Sequence, residues 1–134
     1  MRPGLKLALA GLMGMAVGVL GSQALLAEPE IKRNLLRHED LTATDKEVYM
    51  TVIDAAPGAT FPLHTHPGDE FAYLLEGSVE LDLADQPPMM IKPGDSVHIV
   101  RDKVHGGKIA GTTPAKLLTV HIIDKGKPIT IPVK

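Results

Sequence analysis

The sequence contains no cysteine, and this absence excludes several kinds of chemistry at once. Disulfide bonds, thiolate metal sites, a cysteine nucleophile and a lipid-modified N-terminal cysteine are all ruled out. An excess of basic charge is missing as well, because 14 Lys and Arg residues face 16 Asp and Glu residues. Without Arg2 and Lys6, which lie in the N-terminal segment, the net charge is about −4. We therefore expect no nucleic acid among the partners.

A helical period of apolar residues is also missing from the chain after residue 45. The 13 glycines and 11 prolines instead supply the turns of a tight all-β chain. A chain of 134 residues can build one hydrophobic core but leaves no room for a second domain. The sequence therefore predicts a single all-β domain.

The N-terminal segment combines a basic start with an uncharged apolar stretch over residues 7–27. This order is typical of a signal peptide, and Ser22 and Ala24, with Ala27 as a second candidate, offer small residues for cleavage. The stretch is also close to the roughly 20 residues that span a bilayer, so an uncleaved membrane anchor is the alternative. We predict that residues 1–27 are a signal peptide and that the protein is periplasmic or secreted.

The remaining chain divides into a charged part and a part rich in turns. Residues 28–47 are charged and predict a lead-in segment or a first strand. Over residues 48–134, short apolar runs alternate with turn signals, and residues 79–83 alternate apolar and acidic side chains as in a strand with one wet face. Strands at this spacing predict an antiparallel β-sandwich or barrel.

His64 and His66 lie two residues apart in a segment that reads as extended. Side chains at positions i and i+2 of a strand point to the same face, so both imidazoles project together. A predicted turn at Pro67-Gly68-Asp69 then leads into a strand that opens with Glu70, whose carboxylate can return to the same point. Ala72 and Leu74 share the face of Glu70 and predict a small apolar wall beside the site, whereas Phe71, Tyr73 and Leu75 face the other way.

These residues resemble the first motif of the cupin family at every fixed position. The matching residues are Gly58, His64, His66, Glu70 and Gly77. The second cupin motif resembles Pro93-Gly94-Asp95 followed by His105, although Val100 replaces a usual proline, Asp102 a usual glycine and a residue near Ile109 a usual asparagine. The resemblance implies an antiparallel β-barrel of the jelly-roll type with a metal bound by three histidines and one glutamate.

Neutral imidazoles and one carboxylate suit a divalent transition metal, namely Mn, Fe, Ni, Cu or Zn. Four protein ligands in a six-coordinate geometry leave about two positions open for water or substrate. Burying Glu70 beside imidazoles without a cation would be unfavourable, so a metal explains the residues better than packing does. We expect the ligands to be His64, His66, Glu70 and His105.

Three further histidines lie outside this predicted set of ligands. His121 lies in a late apolar strand and is a candidate acid or base, with a place at the surface or core edge as the alternative. His98 is a second candidate that lines the pocket if its strand faces inward. We expect His38 to be solvated, and Lys103 and Lys108 to be solvated unless they meet an anionic ligand.

Two hypotheses about function remain open at this stage, because cupin proteins include both enzymes and proteins without catalysis. The first is a metal-dependent enzyme, such as an oxygenase or isomerase, that acts on a small oxygen-rich organic molecule. The second is a periplasmic module that binds metal or a small ligand without turnover, favoured by the small size and by the lack of an evident arginine clamp for substrate. We expect a homodimer, because a lone barrel has edge strands to cover.

Overall fold

A computed structural model describes residues 27–134, which form ten β-strands and no helix. The strands are β1 (Ile31–Asp40), β2 (Lys46–Ala55), β3 (Thr60–Thr65), β4 (Gly68–Glu76), β5 (Val79–Leu83), β6 (Met89–Ile91), β7 (Ser96–Ile99), β8 (His105–Ile109), β9 (Ala115–Asp124) and β10 (Ile131–Pro132). Apart from Ala27, the predicted signal segment lies outside the described residues. Residues 27–134 contain no helix whose length and hydropathy would suit a membrane span.

The strands form two five-stranded sheets with antiparallel pairing between the neighbours. One sheet has the order β1-β2-β9-β4-β7, and the other has the order β10-β3-β8-β5-β6. Side chains from both sheets meet in one apolar core, because Leu74 of β4 packs in the same cluster as Val79 and Leu81 of β5. This arrangement confirms the predicted all-β antiparallel barrel of the jelly-roll type.

Alternation of side chains along each strand places the core between the two sheets. In β5, Val79 and Leu81 are buried, while the alternating residues Glu80 and Asp82 are partly exposed, which confirms the strand with one wet face. Complete burial of a side chain such as Leu74 stabilises the fold by about 1.5–3 kcal/mol.

The charged segment after the predicted signal peptide contains β1, which forms the edge of its sheet. The strand pairs with β2 over nine residue pairs and has one irregularity between Leu35 and Arg37. Arg33 lies opposite Ile53 in this register. Directly opposed residues of antiparallel strands share a face, so Arg33 lies on the same face of the sheet as the buried Ile53.

The turn between β3 and β4 is shorter than predicted. The sequence indicated a turn at Pro67-Gly68-Asp69, but β4 already begins at Gly68. A Cβ atom on Gly68 would lie 2.0 Å from the carbonyl oxygen of Ile122, so glycine allows β4 to approach β9 closely. The glycine therefore serves strand packing here rather than a turn.

Gly77 and Gly94 share a backbone conformation but differ in how closely other atoms approach them. Both have positive φ, at 82° and 94°. A Cβ on Gly77 would lie 2.4 Å from the carbonyl oxygen of Pro114, whereas one on Gly94 would meet no atom within 4 Å.

We predict that Gly94→Ala lowers the free energy of unfolding by about 1–2 kcal/mol through backbone strain alone. We expect Gly77→Ala to lower it by a further ~1–3 kcal/mol, because the backbone at the start of β9 must also shift. Urea unfolding measures both values. Equal losses in the two variants would contradict the tight contact at Gly77.

Candidate metal centre

The four residues predicted as metal ligands lie together between the sheets. His64 is in β3 and His66 directly follows that strand, Glu70 is in β4, and His105 is the first residue of β8. One potential ligand atom of each residue lies within 4.8 Å of those of the other three. His66, Glu70 and His105 are buried, and His64 is half-buried. Residues far apart in the sequence thus meet at one point.

Each of the three imidazoles is oriented by a backbone carbonyl group that accepts a hydrogen bond from its Nδ1 atom. The acceptors are Pro62 for His64 at 2.6 Å, Ile129 for His66 at 2.5 Å and Lys103 for His105 at 2.8 Å. A carbonyl oxygen can only accept, so Nδ1 carries the hydrogen in each ring. Each ring is therefore in the tautomer that leaves a lone pair on Nε2, and this lone pair can ligate a metal.

The Nε2 atoms of His66 and His105 lie 3.0 and 3.1 Å from the same oxygen of Glu70, Oε2. A hydrogen bond from either Nε2 to this oxygen needs a second proton on the ring, because Nδ1 is already protonated. Two imidazolium ions on one buried carboxylate oxygen would carry an excess positive charge in a poorly solvated place. A divalent cation shared by the lone pairs satisfies the same groups, and the donor set is compatible with one.

The surroundings shift the pKa values of these residues in opposite directions. Burial by itself raises the pKa of Glu70, but hydrogen bonds with His105 and His66 outweigh it and hold the pKa well below the usual range. Burial lowers the pKa of His64. For His105, burial acts in the same downward direction, yet the contact with Glu70 leaves its pKa above the usual value. Glu70 is therefore an anion at neutral pH.

His121 lies beside these four residues, directly opposite Glu70 in the pairing of β9 with β4. Its Nε2 is 3.7 Å from Oε1 of Glu70. Its Nδ1 is buried and has no hydrogen-bond partner among residues 27–134. Burial lowers the pKa of His121 to about 4, so the ring is neutral at pH 7.

The expectation that His98 lines the pocket is wrong. Its neighbours Val97 and Ile99 line the interior cavity, and alternation along β7 turns His98 to the outside. There its ring stacks on Phe71 with the centroids 4.4 Å apart, and its Nε2 lies 3.0 Å from Asp69. His98 is thus separated from the cluster by the sheet itself.

His38 is exposed, as predicted, although its ring also has partners within the sheet. The residue lies in β1, where its Nε2 is 2.8 Å from a carboxylate oxygen of Glu47 and its ring stacks on Tyr49 at 4.0 Å. Glu47 is buried, so His38 supplies a partner that this carboxylate needs. Lys103 forms an ion pair with Asp85 at 3.6 Å and does not line the cavity.

Mostly apolar side chains surround a cavity of about 270 Å³ beside the cluster. The four cluster residues and His121 are part of its lining. Ala72 and Leu74 also line it, which confirms the predicted apolar wall next to Glu70. Phe71, Tyr73 and Leu75 are exposed on the opposite face, as predicted. The cavity is of a size that suits a small organic molecule.

Sequence reasoning missed Arg33, the arginine among the residues that line this cavity. No arginine stood out as a substrate clamp, yet Arg33 of β1 lines the cavity and its guanidinium carbon lies 6.0 Å from the ring centre of Phe61. The sequence feature that could have indicated Arg33 is its position two residues from Ile31 and from Leu35, because these three residues lie on one face of β1. This feature is informative only if the segment is known to be a strand and its face is known to turn toward the other sheet.

The loop between β7 and β8 is fastened to the turn between β3 and β4. The Arg101 guanidinium donates to Asp124 and, at 3.1 Å, to the Pro67 carbonyl oxygen, while its backbone N–H donates to Asp69 at 3.0 Å. The N–H of Asp102 donates to the His66 carbonyl at 3.1 Å. The turn that contains His66 and the loop that leads to His105 are thereby held against each other.

Asp102 occupies the position where the cupin pattern has glycine. Its φ is 60°, in the left-handed region that favours glycine and that Asp enters more readily than most residues. The departure from the pattern therefore leaves the loop conformation intact, and His105 still reaches the cluster.

Two antiparallel sheets around an interior cluster of three histidines and one glutamate define a small jelly-roll protein with a candidate metal centre. The Cupin domain model matches residues 51–121, more than half of the chain, and the protein belongs to the cupin family. A comparison with curated proteins found no match.

Solved structures with the same fold come from several bacteria. The DMSP lyase DddQ from Ruegeria pomeroyi DSS-3 is 23% identical over 77% of this chain, with a TM-score of 0.65, and the chain spans about half of it (51%). The polyketide cyclase RemF from Streptomyces resistomycificus is 26% identical over 80% of this chain and 75% of its own, with a TM-score of 0.63. A cupin superfamily protein from Desulfitobacterium hafniense DCB-2 is 21% identical, covers 73% and 82% of the two chains, and has a TM-score of 0.61.

The buried neutral ring of His121 predicts a pH dependence of stability in the metal-free protein. His121 takes up a proton near pH 6.5 when unfolded but only at about pH 4 when folded. Its contribution to stability is therefore complete above pH 6.5 and is lost as the pH falls toward 4. We expect wild type to lose about 3 kcal/mol more than His121→Gln over this range.

Urea unfolding at a series of pH values measures this difference, and the other titrating groups cancel between the two proteins. Parallel pH profiles of wild type and His121→Gln would contradict the burial of this ring.

Proposed function

We propose that this protein is a metal-dependent enzyme that acts on a small oxygen-bearing organic molecule. In this proposal His64, His66, Glu70 and His105 hold one divalent transition metal at the wall of the cavity. The observation that carries it is the convergence of three imidazoles, each with Nδ1 tied to a backbone carbonyl, on one buried carboxylate. Strands that orient three Nε2 lone pairs toward one point serve ligation better than packing.

A metal bound there supplies Lewis-acid polarisation of a ligand oxygen, since four protein ligands leave about two of six positions open. The chain itself contributes the surroundings. The apolar wall with Ala72 and Leu74 excludes water and holds the apolar part of the molecule. His121 lies next to Glu70 and lines the same cavity, so its imidazole is placed to donate or accept a hydrogen bond at the bound molecule.

Two of the similar structures support an enzymatic role. They are described as a DMSP lyase and a polyketide cyclase, and both names denote enzymes acting on organic molecules. The second shares 26% of its residues with this chain and three quarters of its length (75%). We infer a reaction on a small organic molecule, with the metal being Mn, Fe, Ni, Cu or Zn.

A binding module without turnover is the second candidate. It is favoured by the lining of the cavity, which is apolar for the most part. Apart from the four cluster residues and Arg33, His121 is the one titratable group among the described residues of this lining. Few groups are therefore available for acid–base chemistry. Export to the periplasm and pairing of two copies stay predictions for either candidate.

Elemental analysis of protein purified without tags or chelators tests the metal site. We expect about one equivalent of a divalent transition metal in the wild type and its loss in His66→Ala, because each ligand contributes strongly to affinity. His98→Ala is the matched control, since it removes a histidine on the outer face and leaves the cluster whole. Metal in both variants, or in neither variant nor wild type, would contradict the proposed site.

Incubation of the metal-loaded protein with small diols, diketones and hydroxy acids separates the two candidates. Product formation that disappears in His66→Ala is the result expected of the enzyme. Tight binding without product for every reconstituted metal would instead favour the binding module.

A further inference from the structure

Arg33 is aligned with residues that line the cavity. It lies opposite Ile53 in the pairing of β1 with β2, and Ile53 lies opposite Leu117 in the pairing of β2 with β9. All three residues line the cavity. Arg33, Ile53 and Leu117 thus form one row across β1, β2 and β9, and residues in such a row share a face of the sheet. This row turns one arginine and two apolar side chains toward the cavity.

The guanidinium of Arg33 has no carboxylate partner among residues 27–134. Its contact there is the ring of Phe61, at 6.0 Å. Arg101 differs, because its guanidinium binds Asp124 and Asp102 at the outside of the barrel. Arginine stays charged at every physiological pH and presents a planar fork that matches a carboxylate. Arg33 is itself exposed to solvent, and it thus adds an unpaired, permanent positive charge to the lining of a largely apolar cavity.

The backbone of Arg33 lies in a different row of the sheet from the metal cluster. Arg33 belongs to the row of Leu117, whereas Glu70 belongs to the row of His121. These rows are four residues apart along β9, or about 13 Å at the rise of a β-strand. Ala72 and Thr119, which are paired in the row between them, also line the cavity. An anion held by Arg33 is therefore a second point of attachment, separate from the metal.

We propose that Arg33 determines ligand specificity by binding a carboxylate at the end of the ligand remote from the metal. The ligand class is an organic acid with an oxygen-bearing head at the metal, an apolar middle part and a terminal carboxylate. This inference rests on the proposed function, because the head is assigned to the metal held by the cluster.

The test uses the full chain loaded with Co²⁺, whose visible absorption changes when a molecule binds to the metal. The matched ligands are 2-hydroxyoctanedioate and 2-hydroxyoctanoate, which share the head and the chain and differ in the terminal carboxylate. We expect wild type to bind the diacid at least about tenfold more tightly than the monoacid. Arg33→Gln removes this preference and leaves binding of the monoacid unchanged.

Arg37→Gln is the matched control, because Arg37 lies in the same strand and lines no part of the cavity. It retains the preference for the diacid. Arg33→Lys retains part of it, since a lysine keeps the charge but loses the planar fork. The short diacid 2-hydroxybutanedioate binds equally to wild type and Arg33→Gln, because it cannot reach from the metal to Arg33. Equal affinity of wild type for the two long acids, or a preference that survives Arg33→Gln, overturns the proposal.

Failure of the proposed function has a different signature, namely no uptake of Co²⁺ by the wild type. The proposal for Arg33 is then tested in the metal-free protein with octanedioate and octane-1,8-diol as probes. We expect the diacid, and not the diol, to shift the NMR resonance of the Arg33 side-chain Nε–H. Absence of that shift, or an equal shift with the diol, overturns the proposal without reference to the metal.

Discussion

A buried carboxylate that needs positive charge around it is the constraint on which the interior of this barrel depends. Glu70 lies between the sheets with His66 and His105 at hydrogen-bond distance from a single oxygen. Each of these rings, and that of His64, is fixed by a backbone carbonyl at its far side. The strands therefore determine the direction of the imidazoles, and the imidazoles determine which partner the carboxylate accepts. A cation of small radius satisfies all four groups at once, whereas an apolar replacement would leave three carbonyl groups without donors.

The supporting interactions around the cluster act mainly on the loops. Arg101 joins the loop before β8 to the turn before β4 through Asp69, Pro67 and Asp124. Pairing with Asp124 raises the pKa of Arg101 and lowers that of Asp124, so both stay charged over the whole physiological range. The candidate ligands His66 and His105 thus share one mechanical support, although 39 residues separate them in the sequence.

Local alternation was sufficient to predict the part of the site that lies on one stretch of chain. The spacing of His64 and His66 predicts that both side chains share one face, because a strand repeats every two residues, and Glu70 follows after a short turn. His105 followed from the resemblance to cupins, and its place in the cluster agrees with it. The phase of β7 was misjudged at His98, although Val97 and Ile99 alternate with Ser96 and His98 and thereby mark the apolar residues as the inner face. Arg33 was missed because its role depends on which sheet edge faces the cavity, and that is a property of the tertiary structure.

The imidazole of His66 is held by the carbonyl oxygen of Ile129, which belongs to the segment just before β10. This segment follows the family match at residues 51–121 and leads into β10, which pairs with β3. Proteolytic trimming in this region would therefore release the ring of His66 from its acceptor and alter the geometry of the candidate metal centre. An affinity tag placed beside β10 would carry the same risk, so the choice of expression vector bears directly on any metal content that is measured.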